Sequence, residues 1–581
     1  MNRLFGPALL AAVFLPATAC MHGQAGSPDG GVTSGDPATR CAALASAMQG
    51  RWPGAEVRLI SAEYHAAGPA ILPPNPMGMP SGPAPLLPEH CELVGSMHER
   101  TGVDGQSYAI QFHLRLPAEW NGRFFMQGGG GTNGELGDAL GQMGSGPPAL
   151  AQGYAVLSQD SGHSNRTNSP PEKGGMTSFG MDPQARAEYG GTSLPVTVGA
   201  AKALVNSYYG AAPTRSYFVG CSKGGQEGMM LAQRHPALFD GIIAAAPGMS
   251  LPRAAIAQAW DTQALAAVSA KPPTPASIAS SFSNEDLQLV SSAVLAACDR
   301  DDGIADGIVG NFPSCTTAKV KPRLDGLACT GSKDQTCLST NQIDALVKIH
   351  EGPRNSSGSQ LYTSFPWDAG WADFGWRIWK MGSPDGSIPS LNVAMGAPAL
   401  AQIFTTQPTL PGLGLQGSLN YALGFDFDQD AAKIYARDGL FLRSAWDDIG
   451  ARSPDIAAFA ALGHKMIVPH GVSDPAFSVK DTTAWWDETN TQMGGNAANT
   501  VRVFPVPGMG HCSGGPATSD YDAFSALVEW VEQGRAPDTI TARSTPNTPW
   551  PNRSRPLCPW PKIAHYVGTG SAESADSFEC R

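Results

Sequence analysis

The hydrophobic pattern alternates between strand-like and helix-like segments along much of the chain. Residues 108–116 alternate apolar and polar side chains with a period of two, which predicts a half-buried strand. Residues 195–209 and 225–234 have helical patterns. Further strands are predicted at residues 123–127, 154–158, 216–219, 241–246, 465–469 and 501–506. Strands that alternate with helices indicate an α/β fold with a mostly parallel sheet.

This regular pattern breaks between residues 249 and 455. The segment is long and rich in Trp, Gly and Pro, and the strand pattern resumes at residue 465. We expect an inserted domain that covers the active site as a lid, because insertions at this end of an α/β sheet lie over the site. The core is then formed by residues 40–248 and 456–581, and the second part ends in a disulfide segment.

The first residues have the pattern of an export signal. A short positive region precedes the apolar residues 4–15, and small residues precede Cys20, which predicts a signal peptide at residues 1–19. The apolar stretch is too short to span a bilayer permanently. Cys20 is either lipidated or lies near an ordinary cleavage site, and residues 20–39 have the composition of a flexible tether. We expect a protein exported to the periplasm, to the outer membrane as a lipoprotein, or to the medium.

Composition narrows the classes of partner. The chain has 581 residues, of which 42% are hydrophobic, so it can bury a large core and more than one structural unit. Its net charge is −12 and no run of Lys or Arg occurs, which argues against nucleic acid as a partner. We expect a monomer that contacts a membrane only through lipidated Cys20.

A pentapeptide with the pattern Gly-x-Ser-x-Gly surrounds Ser222, between a predicted strand and a predicted helix. This arrangement is typical of a nucleophile elbow, which exposes the serine hydroxyl at the edge of the sheet. A serine needs a base, and in this fold the acid and the histidine follow it in chain order. Asp474 follows the strand at 465–469 and His511 follows the strand at 501–506. We therefore predict Ser222, His511 and Asp474 as nucleophile, base and acid, with a plain glycine-rich turn as the alternative.

Two other histidines and one loop complete this prediction. His470 is an alternative to His511 as the catalytic base, and His163 is expected to be structural or to line the pocket. The reacting oxyanion needs two N–H donors, for which we predict Lys223 and Gly131. Gly131 lies in a glycine-rich loop, and glycine lets the backbone approach a substrate closely. A phosphate-binding loop is the weaker alternative, because the Gly-Lys-Ser/Thr ending is missing.

Eleven cysteines fit an exported protein with disulfides. Besides Cys20, three pairs lie close in sequence: Cys298–Cys315, Cys329–Cys337 and Cys558–Cys580. The sequence leaves the pairing of Cys41, Cys91, Cys221 and Cys512 open. A disulfide between Cys221 and Cys512 would hold the nucleophile loop against the base loop, because each adjoins a predicted catalytic residue.

An acidic turn in the insertion is a candidate calcium site. Closely spaced aspartates with glycines at turns provide oxygen ligands of the kind that Ca²⁺ prefers. The predicted ligands are the carboxylates of Asp299, Asp302 and Asp306 and the carbonyl oxygens of Ile304 and Ile308. The spacing is not that of an EF-hand, and a solvated acidic turn is the alternative. We expect a structural role for the ion.

Several long motifs resemble the tannase and feruloyl esterase family. They are residues 87–92, 117–126, the elbow, the acidic turn, and residues 470–478 and 506–515. The resemblance implies an α/β-hydrolase core, a lid domain with structural Ca²⁺ and no organic cofactor. It also implies the catalytic and oxyanion residues predicted above, and it implies five disulfides that include Cys41–Cys91 and Cys221–Cys512.

The resemblance further implies an ester of a small aromatic acid as substrate. Trp379 and Phe477 match positions that hold the aromatic ring in the family, and Met395 lines the same site where a ring-clamping Phe of the family is replaced. One bacterial member, which hydrolyses mono(2-hydroxyethyl) terephthalate, pairs the substrate carboxylate with a lid arginine. No Lys, Arg or His lies between Lys380 and Lys433 here.

A carboxylate that enters an apolar pocket unpaired is penalised by a few kcal/mol. We therefore expect feruloyl, galloyl or benzoyl esters to be better substrates, with Lys223 as a cation that partly offsets the loss. A hydrolase of thioesters, lactones or amides stays open as an alternative. So does a surface lipoprotein that binds aromatic ligands on a non-catalytic hydrolase scaffold.

Overall fold

The computed structural model describes residues 32–54, 57–71, 84–142 and 146–581. The predicted signal peptide, Cys20 and most of the predicted tether lie outside these residues. The strands are β1 (Val57–His65), β2 (Gly68–Pro69), β3 (Leu86–Leu87), β4 (His90–Thr101), β5 (Ser107–Pro117), β6 (Arg123–Gln127), β7 (Ala155–Gln159), β8 (Arg215–Cys221), β9 (Gly241–Ala245), β10 (Lys465–Gly471), β11 (Val501–Val506), β12 (Asp520–Tyr521), β13 (Ile540–Arg543), β14 (Ser554–Leu557), β15 (Ala564–Tyr566) and β16 (Phe578–Cys580).

The α-helices are α1 (Pro37–Ala47), α2 (Pro183–Ala187), α3 (Ser193–Tyr209), α4 (Lys223–Arg234), α5 (Leu251–Val268), α6 (Pro275–Ala279), α7 (Asn284–Cys298), α8 (Thr317–Asp325), α9 (Thr340–Glu351), α10 (Phe374–Lys380), α11 (Ala397–Gln402), α12 (Gly414–Gly424), α13 (Ala445–Ile449), α14 (Ala457–Ala461), α15 (Val479–Gln492) and α16 (Ala523–Gln533). Helix α1 begins inside the segment predicted as a tether. In the described residues, no helix is both long and apolar enough to cross a bilayer.

The main sheet has the strand order β1-β4-β5-β7-β6-β8-β9-β10-β11. The six strands β7, β6, β8, β9, β10 and β11 run parallel to one another in this order, which confirms the predicted α/β fold. The strands β1, β4, β5 and β7 pair antiparallel at the other edge. Of these four strands β5 and β7 were predicted, whereas β1, β4 and the antiparallel pairing were not.

Both faces of the parallel strands are covered. Phe124 and Phe125 are adjacent in β6, point to opposite faces, and are both fully buried. Phe124 packs in the apolar cluster that contains residues of α3 and α4, and Phe125 packs in the cluster that contains residues of α16. Burial on both faces explains why these strands are nearly continuous apolar runs.

The segment between β9 and β10 is helical. The described chain there forms helices α5 to α14. It contains isolated β-bridges, such as the one between Gly382 and Pro389, but no strands. Much of this insertion has its own apolar cluster, which includes Trp367 and Trp371. A further cluster joins the insertion to the core, since it contains Leu251 and Phe404 together with Phe477, which follows β10. This junction is where the candidate site lies.

Candidate active site

Ser222 lies at a sharp turn between β8 and α4. Its backbone has φ 65° and ψ −118°, a conformation that a non-glycine residue adopts only when the surroundings enforce it. The flanking glycines make room for the turn. A Cβ at Gly220 would lie 2.6 Å from the backbone of Gly224, and a Cβ at Gly224 would lie 2.7 Å from the carbonyl oxygen of Gly129. The geometry is that of a nucleophile elbow.

His511 and Asp474 are joined by a hydrogen bond. His511 Nδ1 lies 2.8 Å from Asp474 Oδ2, and the other oxygen of Asp474 accepts the backbone N–H groups of Ala476 and Phe477 at 2.7 and 3.0 Å. Burial by itself would raise the pKa of Asp474, but the nearby His511 and a hydrogen bond from His470 hold it well below its usual value. Asp474 is therefore an ionised carboxylate that can orient the imidazole.

His470, the rival base, is fully buried behind Asp474. Its Nδ1 lies 2.8 Å from Thr482 Oγ1, and its Nε2 lies 3.1 Å from the carbonyl oxygen of Phe477 and 3.4 Å from Asp474 Oδ2. Its position is that of a support for Asp474.

His163 is also buried. Its ring stacks on Phe179 with centroids 3.7 Å apart, and burial lowers its pKa to about 3. A neutral, stacked imidazole suits the structural role that we expected for it.

The structure forms a disulfide between Cys221 and Cys512, whose Cα atoms lie 6.0 Å apart. The bond connects the residue before Ser222 to the residue after His511. Elsewhere it pairs Cys41–Cys91, Cys298–Cys315, Cys329–Cys337 and Cys558–Cys580. These are the pairs that the resemblance implied.

Ser222 lies in the wall of a pocket. The predicted oxyanion residues and the predicted ring-binding residues line the same pocket: Gly131, Lys223, Trp379, Met395 and Phe477. The remaining lining residues are Thr132, Tyr189, Leu251, Ala255, Gln258, Gly396, Ala399 and Phe404. Core and insertion both contribute to its wall, and a lid role for the insertion stays a prediction.

Two aromatic rings hold the imidazole of His511. Trp379, from the insertion, and Phe477, from the core, each meet it edge to face, with centroid distances of 5.2 and 5.3 Å. Both rings also line the pocket. They therefore fix the base and offer apolar surfaces to an aromatic acyl group.

The side chain of Lys223 does not serve the substrate, so our expectation that it offsets the missing arginine is wrong. Its Nζ lies 3.0 Å from Glu227 Oε1, and both side chains are 1% exposed. The ammonium also lies over the ring of Tyr189, at 4.6 Å from its centroid. Glu227 stands one helical turn away and holds the ammonium inside the protein. The backbone N–H of Lys223 lies at the start of α4, and its role as an oxyanion donor stays a prediction.

Glu227 also holds the glycine-rich loop, a role that sequence reasoning missed. Its carboxylate accepts the backbone N–H of Gly129 at 3.0 Å and the side-chain amide of Asn133 at 2.9 Å. The hydroxyl of Ser161 donates to it at 3.3 Å. Gly131 lies within this loop at φ 56°. The carboxylate thus fixes the loop that contains Gly131 to the helix that begins at Lys223, the two predicted oxyanion donors.

The acidic turn in the insertion is a compact set of carboxylates. Asp299 accepts the backbone N–H groups of Asp306 and Gly307 at 3.1 Å, and Asp306 forms an ion pair with Arg555. Burial and the charges of Asp306 and Asp299 raise the pKa of Asp302 to about 7. A divalent cation would relieve this repulsion.

The carboxylate oxygens of this turn are ligands of the kind that Ca²⁺ prefers, whereas their arrangement is less favourable for binding the ion. In the described ranges, no three acidic side chains converge with metal-ligand geometry. The backbone N–H groups of Ile304 and Ile308 bond to Asp302 and Asp306, at 3.3 and 3.0 Å. Calcium binding by this turn stays a prediction.

Comparison with known proteins gives the family of the chain. The family model for tannase and feruloyl esterase matches residues 91–581. The chain is 44% identical over 553 residues to mono(2-hydroxyethyl) terephthalate hydrolase of Piscinibacter sakaiensis, which covers 91% of this chain and 89% of that protein. It is 27% identical to a probable feruloyl esterase of Arthroderma benhamiae, over 91% of each chain.

A solved structure shows the same fold. The crystal structure of feruloyl esterase B from Aspergillus oryzae superposes with a TM-score of 0.72 at 21% identity, and the match covers 93% of this chain and 99% of that one. The fold confirms the predicted α/β-hydrolase core. The relatives are ester hydrolases, which argues against the alternative of a non-catalytic binding protein. The chain belongs to the tannase and feruloyl esterase family and is a carboxylic ester hydrolase.

Proposed function

We propose that this protein is an exported serine esterase for esters of small, uncharged aromatic acids. The observation that supports this most is the relation between the strained Ser222 and the hydrogen-bonded pair of His511 and Asp474. The two parts lie on separate loops, and the disulfide between their neighbours holds those loops together.

In the proposed reaction, Ser222 Oγ attacks the ester carbonyl carbon while His511 Nε2 takes the serine proton. Asp474 accepts the Nδ1–H of His511, which sets the tautomer and stabilises the imidazolium. The backbone N–H groups of Gly131 and Lys223 donate to the oxyanion. His511 then returns the proton to the leaving alcohol. Water attacks the acyl-enzyme with His511 as base, and the aromatic acid leaves.

The acyl pocket favours a neutral ring. Its walls include Trp379, Phe477 and Phe404, and its lysine, Lys223, is buried in an ion pair with Glu227. No other lysine or arginine lines the pocket among the described residues. A free carboxylate on the acyl ring would lose its hydration without gaining a cation.

A panel of esters tests the proposal. We would measure kcat/KM of the purified mature protein for methyl ferulate, methyl gallate, an uncharged benzoate ester and mono(2-hydroxyethyl) terephthalate, with Ser222→Ala as control. We expect the neutral esters to be preferred by about tenfold or more, which corresponds to about 1.4 kcal/mol. Preference for the terephthalate monoester would contradict the pocket argument, and activity that survives in Ser222→Ala would contradict the mechanism.

Export is part of the proposal. Five disulfides in one chain suit an oxidising compartment. Intact mass of the native protein from its host tests this, since cleavage before Cys20 with added lipid mass indicates a lipoprotein. A mass that retains residues 1–19 would contradict export through a cleaved signal.

A further inference from the structure

Gln258 places a side-chain amide in the wall of the pocket. It lies on α5 with Leu251 and Ala255, at positions seven and three residues earlier, so the three share one face of the helix. Gln258 is 7% exposed. Within the described part of the chain, no hydrogen bond reaches its carboxamide, although its backbone carbonyl accepts the hydroxyl of Thr262. A nearly buried amide in a ligand pocket is therefore left for the ligand to satisfy.

The position of this amide depends on Gly396, which also lines the pocket. A Cβ at Gly396 would lie 2.1 Å from Gln258 Oε1. The backbone of Gly396 is helical, with φ −63° and ψ −49°, so an alanine there meets no backbone strain. The missing side chain matters because it leaves space for the carboxamide.

Helix α5 leads from the nucleophile to Gln258. The backbone N–H of Gly248 donates to the carbonyl oxygen of Ser222 at 3.1 Å, and that of Leu251 donates to the carbonyl oxygen of Gly248 at 3.1 Å, so α5 begins beside the nucleophile. Gln258 is seven residues after Leu251, or about 10 Å along the helix axis. An acyl group that extends from Ser222 along α5 would present to this amide the end that is remote from its ester carbonyl.

We infer that Gln258 determines substrate specificity by hydrogen-bonding a phenolic hydroxyl on the acyl ring, opposite the ester-bearing substituent. This inference rests on the proposed function and names the substrate class more narrowly, as 4-hydroxyaryl acids. An amide offers one acceptor and two donors, which match a hydroxyl that both donates and accepts. It carries no charge to neutralise a carboxylate. A ring without the hydroxyl leaves the buried amide unpaired, which disfavours that substrate.

The test compares kcat/KM for methyl 4-hydroxycinnamate and methyl cinnamate, and for methyl 4-hydroxybenzoate and methyl benzoate. We expect the wild-type protein to prefer a hydroxylated ester by about tenfold. In Gln258→Leu the ratio should fall close to one. Gly396→Ala should reduce it as well, because the added methyl displaces the amide without removing it. Gln416→Leu makes the same chemical change at an exposed site of the insertion and should keep the wild-type ratio.

Wild-type ratios close to one for both pairs, or ratios that Gln258→Leu leaves unchanged, would overturn the inference. A Gln258-dependent preference for mono(2-hydroxyethyl) terephthalate over the hydroxylated esters would overturn it too. Melting temperatures would show whether Gln258→Leu folds. If it does not fold, Gly396→Ala tests the same ratio in its place. If Ser222-dependent hydrolysis occurs without the predicted ratios, only Gln258 loses its role. If no ester is hydrolysed by Ser222, the proposed function fails and this inference fails with it.

Discussion

Cys221 and Cys512 are bonded across 291 residues of sequence, and each is the immediate neighbour of a catalytic residue that we propose. The bond restricts how far the loop of Ser222 can move from the loop of His511. Replacing both cysteines by alanine should lower kcat about tenfold or more with less effect on KM, because small displacements of reacting groups are costly. It should also destabilise the protein by about 2–5 kcal/mol.

The matched control removes the disulfide between Cys329 and Cys337, which lie only 8 positions apart in the sequence of the insertion. Thermal unfolding and steady-state kinetics of both double variants separate stability from catalysis. If both variants lose stability and neither loses kcat, the disulfide near the site does not preorganise the catalytic residues.

Glu227 should matter for catalysis although it does not line the pocket. Its replacement by alanine leaves the ammonium of Lys223 buried without a partner, at a cost of about 3–5 kcal/mol. It also frees the backbone of Gly129. We expect a lower kcat from the misplaced oxyanion loop, with KM less affected.

The double variant Glu227→Gln with Lys223→Met removes the buried charges together. It should recover much of the melting temperature, while kcat stays below the wild-type value because the loop is held by a weaker acceptor. Full recovery of kcat along with stability would assign Glu227 a purely structural role.

The two histidines near Asp474 should behave differently. His511→Ala removes the base and should lower kcat by about 10⁴-fold or more. His470→Ala removes a buried ring that bonds to Thr482, so it should mainly lower the melting temperature and reduce kcat less. Steady-state kinetics of both variants check this. The opposite order of kcat values would make His470 the base.

The core of this fold and the order of its catalytic residues were predictable because they depend on local patterns. Strand β11 was predicted with its observed bounds, and α4 begins two residues before its predicted start. Ser222, Asp474 and His511 were predicted as the triad because each follows a recognisable strand, and the structure joins His511 to Asp474 by a hydrogen bond. The antiparallel strand β4 was missed, because its apolar positions do not alternate strictly.

The tertiary contacts around the site were less predictable. Glu227 and Gly129 are 98 residues apart, and no periodicity in the sequence relates them. The side chain of Lys223 was expected to face the substrate, whereas the fold directs it to Glu227. Gln258 and Gly396 meet only because α5 and the following helical segments pack together in the insertion. Such pairings depend on tertiary packing, which one sequence does not specify.

Stability should fall as pH rises between about pH 4 and pH 8, in part because of Asp160. Burial raises the pKa of this carboxyl to about 8, although the backbone N–H groups of Gln111 and Gly162 donate to it. An unfolded aspartate has a pKa of about 4, so between these values the folded protein holds a proton that the unfolded chain releases.

Asp160→Asn stays neutral across this range and should show a smaller decrease in melting temperature between pH 5 and pH 8 than the wild type. Differential scanning calorimetry at the two pH values measures the difference. Equal pH dependence in both proteins would show that Asp160 does not contribute.

Removal of divalent cations tests the acidic turn. If Ca²⁺ binds there, EDTA should lower the melting temperature and added Ca²⁺ should restore it, since a ligand that binds only the folded state stabilises it. Asp302→Asn should be stabilised less by Ca²⁺ than the wild type. A melting temperature that responds to neither EDTA nor Ca²⁺ would favour a solvated acidic turn.

In the proposed mechanism Ser222 forms the acyl-enzyme. Peptide mass spectrometry after treatment with a fluorophosphonate, which labels activated serines, tests this step. We expect one adduct, on the peptide that contains Ser222, with labelling strongly reduced in His511→Ala and absent in Ser222→Ala. An unlabelled Ser222 in active enzyme, or an adduct on another residue that accounts for the loss of activity, would contradict this mechanism.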